Sequence, residues 1–187
     1  MRNPRLIQKE KCALLVIDIQ EKILPAIFDS ERVITNSLKL INGFKIMNVP
    51  VFLTEQYPKG LGHTDSRILA ALPDIIPIEK MTFSCYGSEE FVDKLKVNNI
   101  SQVAICGIES HVCVVQTALD LIANDFQVFV ASDAVSSRKL FDFEMSLRRM
   151  GANGAEISLT ESILFEILNV CGTDEFRSVS KLVKSLF

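Results

Sequence analysis

Basic charge is not in surplus in this chain: 20 Lys and Arg stand against 23 Asp and Glu, a net charge of −3. A polyanion therefore meets no general attraction, and no local basic and aromatic patch compensates, so nucleic acid is not expected as a partner. Long apolar runs are missing too. The longest, Cys12–Ile17, has six residues, whereas a membrane-spanning helix needs ~20, so no membrane association is expected. The opening Met1-Arg2-Asn3-Pro4-Arg5 leads into polar residues without an apolar core. No secretory leader is expected, residues 1–10 read as a flexible segment, and a very short organelle-import segment remains compatible with them. The closing Lys184-Ser185-Leu186-Phe187 matches no peroxisomal or retention address. Gly (8) and Pro (6) are too sparse for a collagen-like or low-complexity chain.

Cysteine pairing is absent as a pattern. The five cysteines, at 12, 85, 106, 113 and 171, are odd in number and contain no Cys-x-x-Cys. Neither a disulfide framework nor a thiolate zinc site is indicated, and a reducing, cytoplasmic setting is expected. Two histidines, His63 and His111, cannot build a multi-histidine metal centre alone. No Gly-x-Gly-x-x-Gly follows a strand, and no phosphate loop ends in Lys-Ser or Lys-Thr. A phosphatase-type loop would place Arg six residues after its cysteine, but Val112 follows Cys106 and Leu119 follows Cys113 at that spacing.

What is present is an alternation of short apolar runs and longer amphipathic stretches. At 187 residues the chain falls in the range of about 100–200 residues typical of one domain, taken here as residues 1–187. Strands are predicted at 12–17, 51–54, 75–78 (a weak run), 103–106, 128–131 and 156–160, the last alternating like an edge strand. Helices are predicted over 33–47, 89–96, 112–123, 141–150, 162–170 and 175–186. Six strands alternating with helices predict an α/β fold with a mostly parallel sheet covered on both faces, a three-layer α/β/α Rossmann-like sandwich. In the common order 3-2-1-4-5-6 the ligand crevice opens between strands one and four, beyond their carboxyl ends. Those ends carry Asp18-Ile19-Gln20 and Gly107-Ile108-Glu109-Ser110-His111-Val112-Cys113.

Cys113 falls in the first turn of the helix predicted after the fourth strand, where the macrodipole and free N–H groups favour a thiolate. Core packing is the alternative for any free cysteine, and the better reading for the other four. His111 is poorly placed as a base, because residues two apart on a helix point roughly 200° away from each other; a cap or the pocket rim suits it. Asp18, at the end of the adjacent central strand, is the better base. Lys80, after the weak third strand, is the candidate cation to offset a thiolate and a carboxylate, with solvated surface as its ordinary alternative.

Four segments in order resemble the isochorismatase-like cysteine hydrolase family over about residues 10–187. Asp18-Ile19-Gln20 resembles the family's opening Asp-x-Gln; Lys80 with Phe83-Ser84 resembles its lysine segment; 107–114 with Thr117-Ala118 resembles its nucleophile motif. The stretch 54–63 resembles the sub-branch of isochorismatase domain-containing proteins. The resemblance implies an Asp18, Lys80 and Cys113 triad, a cis peptide at Ile108–Glu109, and an oxyanion hole from the backbone N–H groups of Glu109 and Cys113. It implies cleavage of an amide-like bond in a small molecule through a thioester. Isochorismate itself is disfavoured, since the branch that cleaves it lacks the cysteine. Nicotinamidase relatives hold a metal with an Asp and two His after the second strand; 54–63 offers His63 and no Asp, so no metal and no cofactor are expected. Gln20, Phe28, Tyr57, Phe83 and His111 are candidate pocket residues, while Lys59 and Arg138 read as solvated surface. The stripe Phe176, Val179, Val183 and Leu186 is expected to dock on the domain or between subunits, and a homo-oligomer, a dimer or larger, is expected by resemblance. The competing readings are a catalytically silent scaffold, an RNA-associated protein and a redox sensor using Cys113.

Overall fold

Parallel strands need crossover helices, and the chain supplies them in alternation. A computed structural model describes residues 2–185. In chain order the elements are β1 (Cys12–Ile17), α1 (Ser30–Ile46), β2 (Val51–Gln56), α2 (Pro58–Leu61), α3 (Ser66–Ala71), β3 (Ile78–Lys80) and α4 (Glu89–Val97). They continue with β4 (Gln102–Gly107), α5 (Val115–Ala123), β5 (Gln127–Val135), α6 (Leu140–Ala152), β6 (Glu156–Ser158), α7 (Thr160–Leu168) and α8 (Asp174–Lys184). The six strands form one sheet in the order β3-β2-β1-β4-β5-β6, and every neighbouring pair is parallel.

The continuous apolar run of β1 is explained by burial on both faces. Cys12, Leu14 and Val16 join the apolar layer under α1, α3, α7 and α8. Ala13, Leu15 and Ile17 join the opposite layer under α4, α5 and α6. Each fully buried Leu or Ile in such a layer contributes about 1.5–3 kcal/mol relative to exposure. The docking of α8 follows the same rule: Val179 is fully buried in the α1 layer, and the Phe165 and Phe176 rings meet edge to face at 6.2 Å. Leu186, the last residue of the expected stripe, lies outside the described residues.

Two expectations are corrected. The third strand is not 75–78 but Ile78–Lys80. Ile75 closes a turn back to Leu72, Ile76 is 86% exposed, and pairing with β2 runs Thr54–Ile78 to Gln56–Lys80. Lys80 is thus inside the strand, at the sheet's carboxyl edge. The predicted helix over 112–123 opens instead with a wide π-type turn, Ser110–Val114, and α5 begins at Val115. In the N-terminal segment, expected to be flexible, Ile7 is fully buried, its N–H donates to Glu166 Oε2 at 3.2 Å, and the Gln8 N–H donates to Gln102 Oε1 at 2.7 Å; residues 3–5 are exposed.

The sheet's carboxyl edge is set by Gly107. It pairs with Ile17 at the junction of β1 and β4, its φ is +119°, and a Cβ there would fall 2.1 Å from the Ile17 carbonyl oxygen. The next residue then donates its N–H to that same oxygen at 2.9 Å. Gly107→Ala is expected to destabilise the protein by about 3 kcal/mol or more, since a side chain both strains this backbone and forces the two central strands apart. Urea unfolding checks it; a loss near zero would mean that the two strands can separate freely.

Candidate active site

Asp18 leaves β1 with a left-handed backbone, φ +50°, which turns its carboxylate across the sheet edge toward β2 and β3. Thr54 Oγ1 of β2 donates to Asp18 Oδ1 at 2.7 Å. Lys80 Nζ of β3 donates to Asp18 Oδ2 at 2.7 Å. The same ammonium donates to Gln56 Oε1 at 2.7 Å and to the carbonyls of Phe83 and Thr82 at 3.1 and 3.3 Å. Both partners are buried, with 1% of the Lys80 and 4% of the Asp18 side chain exposed. Burial alone would depress the Lys80 pKa; the Asp18 carboxylate, with the negative sulfurs of Cys85 and Cys113 once ionised, outweighs it, so the ammonium pKa is raised. A buried ion pair is tenable when further hydrogen bonds satisfy its remaining donors and lone pairs, and here they do.

Cys113 approaches from the other side of the crevice. The Ile108–Glu109 peptide is cis, and the turn Ser110–Val114 carries the thiol. Asp18, Glu109 and Cys113 line one small cavity of about 80 Å³ whose other walls are mostly apolar, Leu61, Phe83 and Val112 among them. The Ser110 N–H donates to Ser136 O at 2.7 Å and the His111 N–H to Ser137 Oγ at 3.3 Å. The Glu109 N–H has no acceptor among the described residues. Its side chain is held by Arg138, whose Nε donates to Glu109 Oε2 at 2.8 Å.

The thiol's ionisation runs opposite to the expectation from helix position. Burial first, then the negative Asp18 carboxylate, raises the Cys113 pKa, and Lys80 only partly opposes them. The resting site is therefore a neutral thiol beside an ion pair. Macrodipole stabilisation, worth about 0.3–1 kcal/mol at an ordinary helix end, is too small to win, and a wide turn in place of a regular helix start weakens it further.

The candidate residues separate in the fold. Asp18, Lys80 and Cys113 converge, and of the five pocket candidates only Phe83 is on the cavity wall among the described residues. Gln20 is a brace: its Nε2 donates to Gln56 O and Gly62 O at 3.1 and 2.6 Å, and its Oε1 accepts from the Gln56 N–H at 2.8 Å. It ties the loop carrying Leu61 to the sheet edge. His111 Nδ1 lies 2.9 Å from Ser137 Oγ, outside the cavity, because the residue spacing turns it away from Cys113. Phe28 and Tyr57 are half exposed, 42% and 46%, and do not wall the cavity.

Thr54 and Gln56 escaped the sequence reading as site residues, and Cys85 was read there as core packing. Cys85 is fully buried, 3.8 Å from Thr54 Oγ1, with its N–H donating to Thr117 Oγ1 at 2.9 Å. The signal for the first two was available: Thr54-Glu55-Gln56 is a polar run closing a strand buried on both faces. Glu55 itself is spent on structure, accepting from the Thr64 N–H and Oγ1 at 2.6 and 2.7 Å, with His63 Nδ1 at 3.3 Å. No group of three His, Cys, Asp or Glu able to hold a metal occurs among the described residues.

The Isochorismatase domain model matches residues 12–162. A secreted isochorismatase effector of Phytophthora sojae is 41% identical over 91% of this chain and 83% of its own. Isochorismatase domain-containing protein 2 of Danio rerio is 36% identical over 91% and 85%. Among solved structures, the MAR1 ribonuclease from Caenorhabditis elegans superposes with a TM-score of 0.91 at 35% identity, covering 96% of this chain and 93% of that one.

Two stability measurements test the buried cluster. Lys80→Ala strands the Asp18 carboxylate and is expected to cost about 3–5 kcal/mol, with Lys80→Ala/Asp18→Asn recovering part of it. Additive losses in urea unfolding would mean that the pair is not coupled. Alkaline pH supplies the other test. Burial raises the thiols of Cys12, Cys85 and Cys106 from 9.0 to about 12, so the unfolded chain loses these protons first. Their contribution is intact below pH 9.0 and is lost as the pH climbs toward about 12. The urea midpoint is expected to fall steadily above about pH 9; a midpoint that stays level there would contradict the burial of the thiols.

Proposed function

Because this chain belongs to the isochorismatase family, we propose that it is a cysteine-dependent hydrolase cleaving an amide-like C–N bond of a small molecule. The observation that carries the reading is that an acid and a thiol from distant segments line one small, mostly apolar cavity, with a buried ammonium paired to the acid behind it.

Asp18 removes the proton from the Cys113 thiol as the sulfur attacks the substrate carbonyl. Lys80 offsets the negative charge that then passes from the carboxylate to the sulfur and the carbonyl oxygen. The backbone N–H groups of Glu109 and Cys113 hold the tetrahedral oxyanion, a role that suits the unengaged Glu109 N–H. Asp18 returns the proton to the leaving amine, the C–N bond breaks and a thioester remains. Water activated by Asp18 then cleaves the thioester and restores the thiol. A neutral resting thiol fits this scheme, since the thiolate forms as the proton moves to Asp18 and need not persist between turnovers.

The ribonuclease name of the C. elegans relative is not carried over. A net charge of −3 and a cavity of about 80 Å³ suit a small neutral molecule better than a polynucleotide. No helix among the described residues is long and apolar enough to cross a membrane. The five thiols are all free, which supports a reducing compartment, the cytoplasm, although the Phytophthora relative is named as secreted. A homo-oligomer belongs to the same reading.

Ammonia release from a panel of amides, carbamoyl compounds and ureas tests it, with Cys113→Ala expected to lower turnover by at least about 10³-fold. Asp18→Asn is expected to abolish turnover yet move the pH midpoint of Cys113 alkylation by iodoacetamide downward, because it removes a negative charge and keeps Lys80. Unchanged turnover in Cys113→Ala, or an alkylation midpoint that does not fall, would overturn the scheme.

A further inference from the structure

We propose that Arg138 is a positioning residue for the oxyanion donor: by holding the Glu109 carboxylate it keeps the Glu109 N–H aimed into the cavity. The inference rests on the hydrolase reading above and adds to it a residue that the sequence marks only as solvated surface. Arg138 Nε donates to Glu109 Oε2 at 2.8 Å, and no other group among the described residues bonds to that carboxylate. The two partners are unequal, with 58% of the Arg138 side chain exposed against 8% of the Glu109 side chain. An ion pair between two exposed side chains is worth little. Here one partner is a buried acid on the cavity wall, and without the guanidinium its charge would stand unpaired beside the reacting atoms.

The Glu109 N–H belongs to the peptide that joins Ile108 to Glu109, and its direction is set by what holds that peptide at either end. On one side the Ile108 N–H donates to Ile17 O at 2.9 Å. On the other the Glu109 carbonyl accepts from the N–H groups of Val112 and Val114 at 3.0 and 3.2 Å, and the Ser110 N–H donates to Ser136 O at 2.7 Å. These bonds fix the peptides before and after, but none reaches the Glu109 side chain. Arg138 does, and it is itself rooted. Of the two residues before it, Ser137 accepts on its carbonyl from the Phe28 N–H at 2.9 Å, and Ser136 Oγ donates to Phe28 O at 2.6 Å. The guanidinium therefore ties the donor residue to a pinned strand end. A donor for a tetrahedral oxygen has to be in place before charge develops there, so a loosened one costs rate and not substrate affinity. The terminal guanidinium nitrogens have no acceptor among the described residues, which makes direct contact with substrate the competing role.

Turnover and a substrate-free probe test the two roles together. In Arg138→Ala, kcat for the best amide of the panel is expected to fall about tenfold or more, with KM moving less than about twofold. The probe is propionaldehyde. The Cys113 thiol adds to its carbonyl: the S–C bond forms, the thiol proton passes to the carbonyl oxygen, and nothing leaves. The adduct's oxygen occupies the place of the oxyanion and the adduct shields Cys113 from iodoacetamide, as read by peptide mass spectrometry. Arg138→Ala is expected to need about tenfold more aldehyde for the same protection. Alkylation without aldehyde is expected to stay within about twofold, since the thiol's ionisation answers to burial, Asp18 and Lys80. Arg138→Lys is expected to recover most of both losses. Arg138→Ala/Glu109→Ala is expected to lose no more than Arg138→Ala, because the two side chains act through one contact. Circular dichroism confirms folding, and Arg138→Gln, which keeps the bulk, is the second disrupting variant. A raised KM at unchanged kcat would make Arg138 a substrate contact and overturn the proposal. Additive losses in the double variant would do the same, as would an equal slowing of plain alkylation. Cys113 left unprotected by propionaldehyde in the unaltered protein also overturns it. If no amide is turned over but the aldehyde effect appears, the amide reading falls and the positioning role stands.

Discussion

The salt bridge between Asp18 and Lys80 is the constraint on which the carboxyl edge of the sheet depends. Removing two charges from water carries a penalty of several kcal/mol per ion, so the pair persists only because its surroundings are built to it. Thr54 fixes one carboxylate oxygen, and Gln56 with the Thr82 and Phe83 carbonyls surrounds the ammonium. In this way β1, β2 and β3 are tied at one point, and the loop after β3 is folded back over its own lysine. The Gln20 amide then clasps the next loop, so Leu61 is presented to the same cavity. Local polar residues that would weaken an ordinary buried strand here form a single satisfied network.

The thiol sits at the edge of that network, and two effects compete over its proton. Lys80 and the amino end of α5 favour a thiolate, whereas burial and the Asp18 carboxylate favour the thiol. Burial prevails and Asp18 adds to it, because Lys80 opposes the two only in part. A protonated sulfur is a poor target for oxidants and alkylating agents, since the thiolate is the reactive form. On the scheme proposed above, this keeps the thiol quiet until a substrate carbonyl is in place and transfer to Asp18 is coupled to attack. That argues against a free-standing redox sensor, which works with a thiol ionised at rest.

Sheet order, five of the six strands and the meeting of Asp18 with Cys113 on one cavity were legible in the residues, because a run such as Cys12–Ile17 has no other use than a strand covered on both faces. Lys80 was legible as a residue type in a recognisable segment, but not as a strand position. Its burial follows from a register in which the apolar Ile75 and Ile76 are left in a turn and Ile78 pairs with Thr54, and no local propensity encodes that register. The pocket wall was the least legible part. Tyr57, Phe28 and His111 are aromatic neighbours of the motifs in sequence, yet a strand end or turn sends alternate residues to opposite sides, and Leu61, Ile23 and Val112 reach the cavity instead. The short α2 and α3 escaped because four and six residues are too few to display a helical period.

The connection from β5 to α6 links the chemistry to the outer face of the molecule. Ser136 O accepts from the Ser110 N–H, the hydroxyls of Ser110 and Ser137 meet at 2.5 Å, Ser137 Oγ also lies against His111, and Arg138 grips Glu109. Every residue from Glu109 to His111 thus depends on three consecutive positions that lead directly into α6. On the scheme proposed above, a turn that holds a thiol and an N–H donor against one cavity cannot tolerate displacement of about an ångström without a large loss of rate. Whatever fixes α6 in place therefore also fixes that turn, because the three serine and arginine positions that grip it lead straight into the helix.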